Sequence, residues 1–143
     1  MKICRKLLND ILNKMPLVPP EAGGIIGGKD GQVCIWEFDK GCAGRGCIYA
    51  PNVTYLNTII DTWIENNYDF MGIFHVHFGG SKYLSDGDKK YIKKIMTAMP
   101  LSIKQLYFPI IVQPEKELVS YKAIKDSQGE ILIIFDEVEI IND

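Results

Sequence analysis

The chain has 143 residues, of which 47% are hydrophobic and 24% charged, with a formal net charge of −2; this fits one ordinary globular domain, residues 1–143, with enough apolar material for a true core. Such a charge excludes a general pull toward nucleic acid or an anionic membrane, and no apolar run approaches the ~20 residues that span a bilayer. The basic start, Met1 to Lys6, is broken by Asn9, Asp10, Asn13 and Lys14, so the apolar middle of a secretion signal is missing and a cytoplasmic location is expected.

Periodicity predicts an amphipathic helix over 3–15, with Ile3, Leu7, Leu8, Ile11, Leu12 and Met15 on one stripe, ended by Pro16 and the Pro19-Pro20 pair. Residues 23–28 form an apolar stretch bounded by glycines, read as a buried strand. The turn Lys29-Asp30-Gly31 joins it to a second strand over 32–38, where Val33, Ile35 and Phe38 alternate with polar neighbours. The 40–51 stretch, rich in Gly and Cys, has no period and reads as a loop. Thr54 is placed to cap a second helix with Leu56, Ile59, Ile60, Trp63 and Ile64 on its apolar face, closed by Asn66-Asn67. Residues 70–77 read as an almost wholly apolar strand. Ser85 can cap a third helix that turns Ile92, Ile95, Met96 and Met99 inward, with Pro100 beyond it. Strands over 106–112, 118–124 and 131–135 follow, separated by turns. The fold class is α/β or α+β, a mixed β-sheet flanked by helices.

Four cysteines, Cys4, Cys34, Cys42 and Cys47, lack the C-x2-C spacing of structural zinc sites. Cys4 and Cys34 read as small buried hydrophobes; Cys42 and Cys47 sit in the glycine-rich loop without an assigned role.

The two histidines of the chain, His75 and His77, lie two apart on the predicted strand, so both imidazoles face one way while Val76 faces the other. An apolar strand that ends in two histidines has little packing reason to carry them. After seven intervening residues, Ser85 and Asp88 have capping-box spacing, which holds Asp88 rigidly at a helix start and leaves it able to serve as a ligand. Glu21 follows Pro19-Pro20 and precedes Gly23-Gly24, whose missing side chains would leave room for a substrate backbone near a strand start; the sequence by itself does not bring Glu21 to His75. Together these residues supply two neutral nitrogens, a carboxylate ligand, a hydroxyl and a spare carboxylate, the parts of a hydrolytic zinc centre with one open position. Asp86, which breaks the spacing, is assigned to helix capping. Lys89, Lys90, Lys93 and Lys94 read as the solvated face of the third helix.

The ordered pattern Glu21 … His75-Val76-His77-x7-Ser85-x-x-Asp88 resembles the JAMM motif of the JAB/MPN (Mov34/PAD-1) zinc metalloproteases, and Glu21 to Gly27 is similar to that family's first-strand signature. The resemblance covers nearly the whole chain and implies a three-layer, cytidine deaminase-like arrangement. It further implies that His75, His77 and Asp88 hold Zn2+, that Glu21 bonds the metal's water and acts as general base, and that Ser85 helps to stabilise the oxyanion. The chain departs from the family in carrying Val76 where many relatives have Ser or Thr. It also has Phe78 and Leu84 at places where bacterial relatives often have proline. No ligand is lost by either departure.

The resemblance therefore implies a peptidase or isopeptidase acting on the C-terminal tail of a ubiquitin-like protein, with neither nucleic acid nor membrane as partner. A catalytically silent MPN-type scaffold and a small-amide zinc hydrolase are the alternatives. A zinc deaminase would need His-x-Glu and Pro-Cys-x-x-Cys segments, and neither occurs.

Overall fold

The computed structural model describes residues 1–41 and 49–142. Cys42, Cys47 and the middle of the predicted 40–51 loop lie outside the described residues. In chain order the elements are β1 (Lys2–Cys4), α1 (Arg5–Lys14), β2 (Gly23–Lys29), β3 (Gln32–Asp39), α2 (Val53–Glu65) and β4 (Asp69–Phe78). After these come α3 (Asp86–Ala98), β5 (Gln105–Tyr107), β6 (Ile110–Gln113), β7 (Glu117–Lys125), β8 (Ile131–Asp136) and β9 (Glu139–Ile141).

The described strands form one mixed sheet in the order β5-β7-β6-β4-β2-β3-β1-β9, with β8 on β7 and an additional β5–β4 pairing. β2 is antiparallel to both β3 and β4, whereas β4 runs parallel to β6. The β2–β3 turn has positive φ at Asp30 (53°) and Gly31 (75°), the backbone of a tight type I′ hairpin whose twist matches its strands.

Alternation along the central strands divides the molecule into layers. Ile26, Phe74, Val76 and Ile111 pack with Leu8, Ile11 and Met15 of α1 on one face. On the other face Ile25 packs with Leu56 and Trp63 of α2, and Ile110 and Val112 pack with Ile92 and Met96 of α3. Two helices therefore cover the face to which His75 and His77 point, and α1 covers the face that takes Val76. This is the expected mixed sheet flanked by helices. No described helix is long and apolar enough to cross a membrane.

Several local expectations are corrected. Ile3 belongs to a strand, not to the first helix, because Lys2 and Ile3 pair in parallel with β3, and Lys2 to Cys4 pair with β9. The Met1 ammonium adds a 2.7 Å buried ion pair to Asp136. The α2 cap is Asn52, whose Oδ1 accepts from the Tyr55 amide at 3.3 Å, and not Thr54. Ile64 is 59% exposed: its position on α2 turns it away from the sheet. The predicted 106–112 strand is divided into β5 and β6 at Pro109, which has no amide hydrogen to give to a ladder. Cys34 is exposed rather than buried, since the β2–β3 register shifts there and Gly27 faces Ile35 while Gly28 faces Val33.

Candidate metal centre

β4 carries the two histidines into the middle of the sheet. The register sets Gly23 of β2 and Ile110 of β6 on either side of His75, so backbone pairing fixes the imidazoles at their Cα atoms. After Phe78 the chain turns through Gly79 and Gly80, both at φ near 80° (78° and 79°), a conformation that favours glycine. The turn returns the chain to Ser85 at the start of α3.

There the Oγ of Ser85 accepts the Asp88 amide at 3.0 Å, and Asp88 Oδ2 accepts the Ser85 amide at 2.9 Å. This reciprocal pair satisfies two helix-end donors and fixes the Asp88 rotamer. Asp86 does not cap; it is an exposed residue of the first turn, where its charge meets the positive end of the helix.

The capped carboxylate points at both histidines. His75 Nε2 lies 2.8 Å from His77 Nε2 and 3.4 Å from Asp88 Oδ1, and His77 Nε2 lies 3.2 Å from Asp88 Oδ2. Two imidazole nitrogens this close cannot both present bare lone pairs, so a proton or a metal ion must lie between them. Donors ~2.0–2.1 Å from a tetrahedral zinc ion sit roughly 3.3 Å apart, so the observed spacings fit such an ion. Among the described residues this is the group of His, Cys, Asp or Glu side chains able to hold a metal.

Electrostatics agree. Burial alone would raise the Asp88 carboxyl, but hydrogen bonds from His75 and His77, the charge of His75 and the Ser85 amide hold it far below the usual carboxylate range. Burial would lower His77, yet the hydrogen bond and charge of Asp88, the charge of Glu21 and the Ser81 carbonyl push it above its ordinary value. The cluster is built to retain positive charge. His77 Nδ1 lies 3.3 Å from the Ser81 carbonyl oxygen; donation to that carbonyl leaves Nε2 as the coordinating atom.

Glu21 reaches the site by backbone pairing. The Val76 amide donates to the Ala22 carbonyl at 2.9 Å, and Glu21 lines the same cavity as His75, His77, Ser85 and Asp88. Its Oε1 accepts the Tyr49 amide at 3.3 Å. The glycines beside it do not make room for substrate, contrary to expectation. A Cβ on Gly23 would meet the Phe74 carbonyl and the Tyr49 ring, and one on Gly24 would meet the Glu37 carbonyl and the Phe74 ring. The space is taken by neighbouring strands.

Three further residues shape the site. Buried Asp39 accepts from the Gly41 amide at 3.0 Å, the Tyr49 hydroxyl at 2.8 Å and the Asn52 amide at 2.9 Å, and so fixes Tyr49 against the cavity. Tyr91 lies one turn beyond Asp88 on α3 and lines the cavity. Burial and then the charge of Asp39 push its phenol above the ordinary range, so it stays a neutral hydroxyl. Neither tyrosine was named from the sequence: helical i, i+3 spacing from Asp88 is a signal that could have found Tyr91, whereas no signal points to Tyr49, which lies in a stretch without period.

No protein-family model matches the chain, and no curated protein does. It is similar in structure to protein DSY2949 from Desulfitobacterium hafniense, solved in solution, at TM-score 0.67 and 18% identity, with 99% of this chain and 93% of that chain covered. It is also similar to the crystal structure of AF2198, a JAB1/MPN domain protein from Archaeoglobus fulgidus, at TM-score 0.55 and 21% identity, with 99% of each chain covered. At such identities the likeness establishes the fold, which is of the JAB1/MPN kind.

Proposed function

We propose that this chain is a JAMM-type zinc metallopeptidase or isopeptidase that hydrolyses the C-terminal tail of a ubiquitin-like protein, by processing or deconjugation. One observation carries the reading: His75, His77 and Asp88 converge at zinc-like spacing in a cavity that Glu21 and Ser85 also line. When bound there, zinc would lower the pKa of a coordinated water to about 7 and polarise the scissile carbonyl.

The remaining steps fall to side chains. The Glu21 carboxylate, held through Oε1 by the Tyr49 amide, takes the proton of the attacking water and returns it to the leaving amine. The Ser85 oxygen already accepts from the helix amide, so its hydrogen remains to be donated to the developing oxyanion, a contact typically worth ~3 kcal/mol. His75, His77 and Asp88 would hold the metal, and the Ser81 carbonyl would orient His77. An extended tail has a possible seat along β3, whose outer edge pairs with β1 at Gln32 and Val33 alone among the described residues; an added strand would bind there by main-chain hydrogen bonds. The free thiols of Cys4 and Cys34 suit the reducing cytoplasm in which we place the protein.

The test is metal analysis of the purified protein, then hydrolysis of ubiquitin-like precursors and conjugates with and without chelator. Glu21→Ala should retain zinc and lose about 100- to 10,000-fold in rate; unchanged hydrolysis in that variant would remove Glu21 as the base.

A further inference from the structure

The cavity reaches well past the cluster. Its volume is about 570 Å³, within the size range of sites that enclose a drug-sized group, and a water with one scissile amide fills only a small part of it. Beyond the ligands its wall includes Val53 on α2, Ile73 on β4, Tyr91 and Ile92 on α3, and Phe108. No lysine or arginine lines it among the described residues, and its carboxylates are Glu21 and Asp88. An acidic side chain or a terminal carboxylate would enter against the charge of Glu21, and no cationic side chain among the described residues would receive it. A bulky apolar side chain would instead leave water and meet apolar surface on α2, β4 and α3 at once.

We propose that this cavity is a specificity subsite for a large apolar side chain, of the leucine, methionine or phenylalanine class, directly flanking the scissile amide. The inference rests on the peptidase reading and names the substrate class for that same site. A ubiquitin-like precursor qualifies when an apolar residue stands on one side of the bond to be cut.

Binding tests this separately from turnover. Titration calorimetry on the zinc-loaded full chain would use N-acetyl-glycine and N-acetyl-leucine hydroxamates, and succinyl hydroxamates with and without a 2-isobutyl group, so that the side chain is offered on either side of the metal-binding head. In at least one series the substituted probe should bind tenfold or more tightly than its parent, and an aspartate analogue should bind more weakly than either. Val53→Trp, made at a residue 61% exposed on the rim, should shrink that ratio below threefold. Equal affinities within both series, or tighter binding of the acidic probe, would overturn the subsite while leaving the metal centre intact. If the protein takes up no zinc, or zinc-loaded protein binds no hydroxamate, the metallopeptidase reading falls and the subsite with it.

Discussion

Asp88 performs two separable tasks, and a pair of substitutions tells them apart. In Ser85→Ala the Asp88 amide loses its acceptor, and in Asp88→Ala the Ser85 amide loses its own. Each is the loss of one N-terminal capping bond, about 1 kcal/mol. At roughly 2–4 °C per kcal/mol for a chain approaching 150 residues, Ser85→Ala should unfold some 2–4 °C below the parent when metal-free, measured at pH 8, and Asp88→Ala, which also loses its contacts with His75 and His77, should fall at least as far. Zinc at a hundredfold above its dissociation constant adds about 2.7 kcal/mol, or roughly 5–11 °C on the same scale. Ser85→Ala removes no ligand and should retain that rise, whereas Asp88→Ala should lose most of it. The assay is thermal unfolding followed by circular dichroism, with zinc and with chelator. A full zinc-induced rise in Asp88→Ala, or its loss in Ser85→Ala, would refute the assignment of Asp88 as ligand and Ser85 as cap.

Acidity should act in opposite senses on the metal-free and loaded protein. Asp88 is held below its ordinary 3.8, so its contribution to stability is present above that value and is lost as pH falls below it. His77 is raised above 6.5, so its contribution is complete below 6.5 and disappears as pH rises through the raised value. Urea unfolding of metal-free protein should therefore show the greatest benefit from the cluster between these two values, while the zinc-induced rise should be small at pH 5.5 and large at pH 8, where protons no longer compete. Asp39→Ala deprives three donors of their acceptor and should cost about 3 kcal/mol in urea unfolding, with zinc affinity little changed. Gln113 is fully buried, with neither Nε2 nor Oε1 bonded within the described residues. Gln113→Met should raise stability by about 1 kcal/mol, and a loss of that size would show that the amide is satisfied in solution.

The central elements could be read from the chain because their patterns reflect what covers them. β4 is apolar on both sides since helices lie over both faces, and its two histidines stand out against that background. The Ser85–Asp88 spacing foretold a capped helix, and the cap aims the Asp88 carboxylate at both histidines. What escaped depends on distant pairing. A three-residue strand such as β1 or β9 has too few residues to show a period, and each exists because the other and β3 lie alongside. The approach of Glu21 to His75 follows from the antiparallel register of β2 on β4, which no local motif encodes. Cys34 was misread because its burial was inferred from residue type, whereas it falls at a bulge of β3 between the inward Val33 and Ile35.

The carboxylate of Asp39 ties down the backbone at residues 41 and 52 and the hydroxyl of Tyr49. One buried carboxylate on β3 thus fixes Tyr49, which lines the cavity, from an element other than the strand and helix that carry His75, His77 and Asp88. A substitution at residue 39 would therefore reshape one wall of the cavity and leave the three converging side chains as they are.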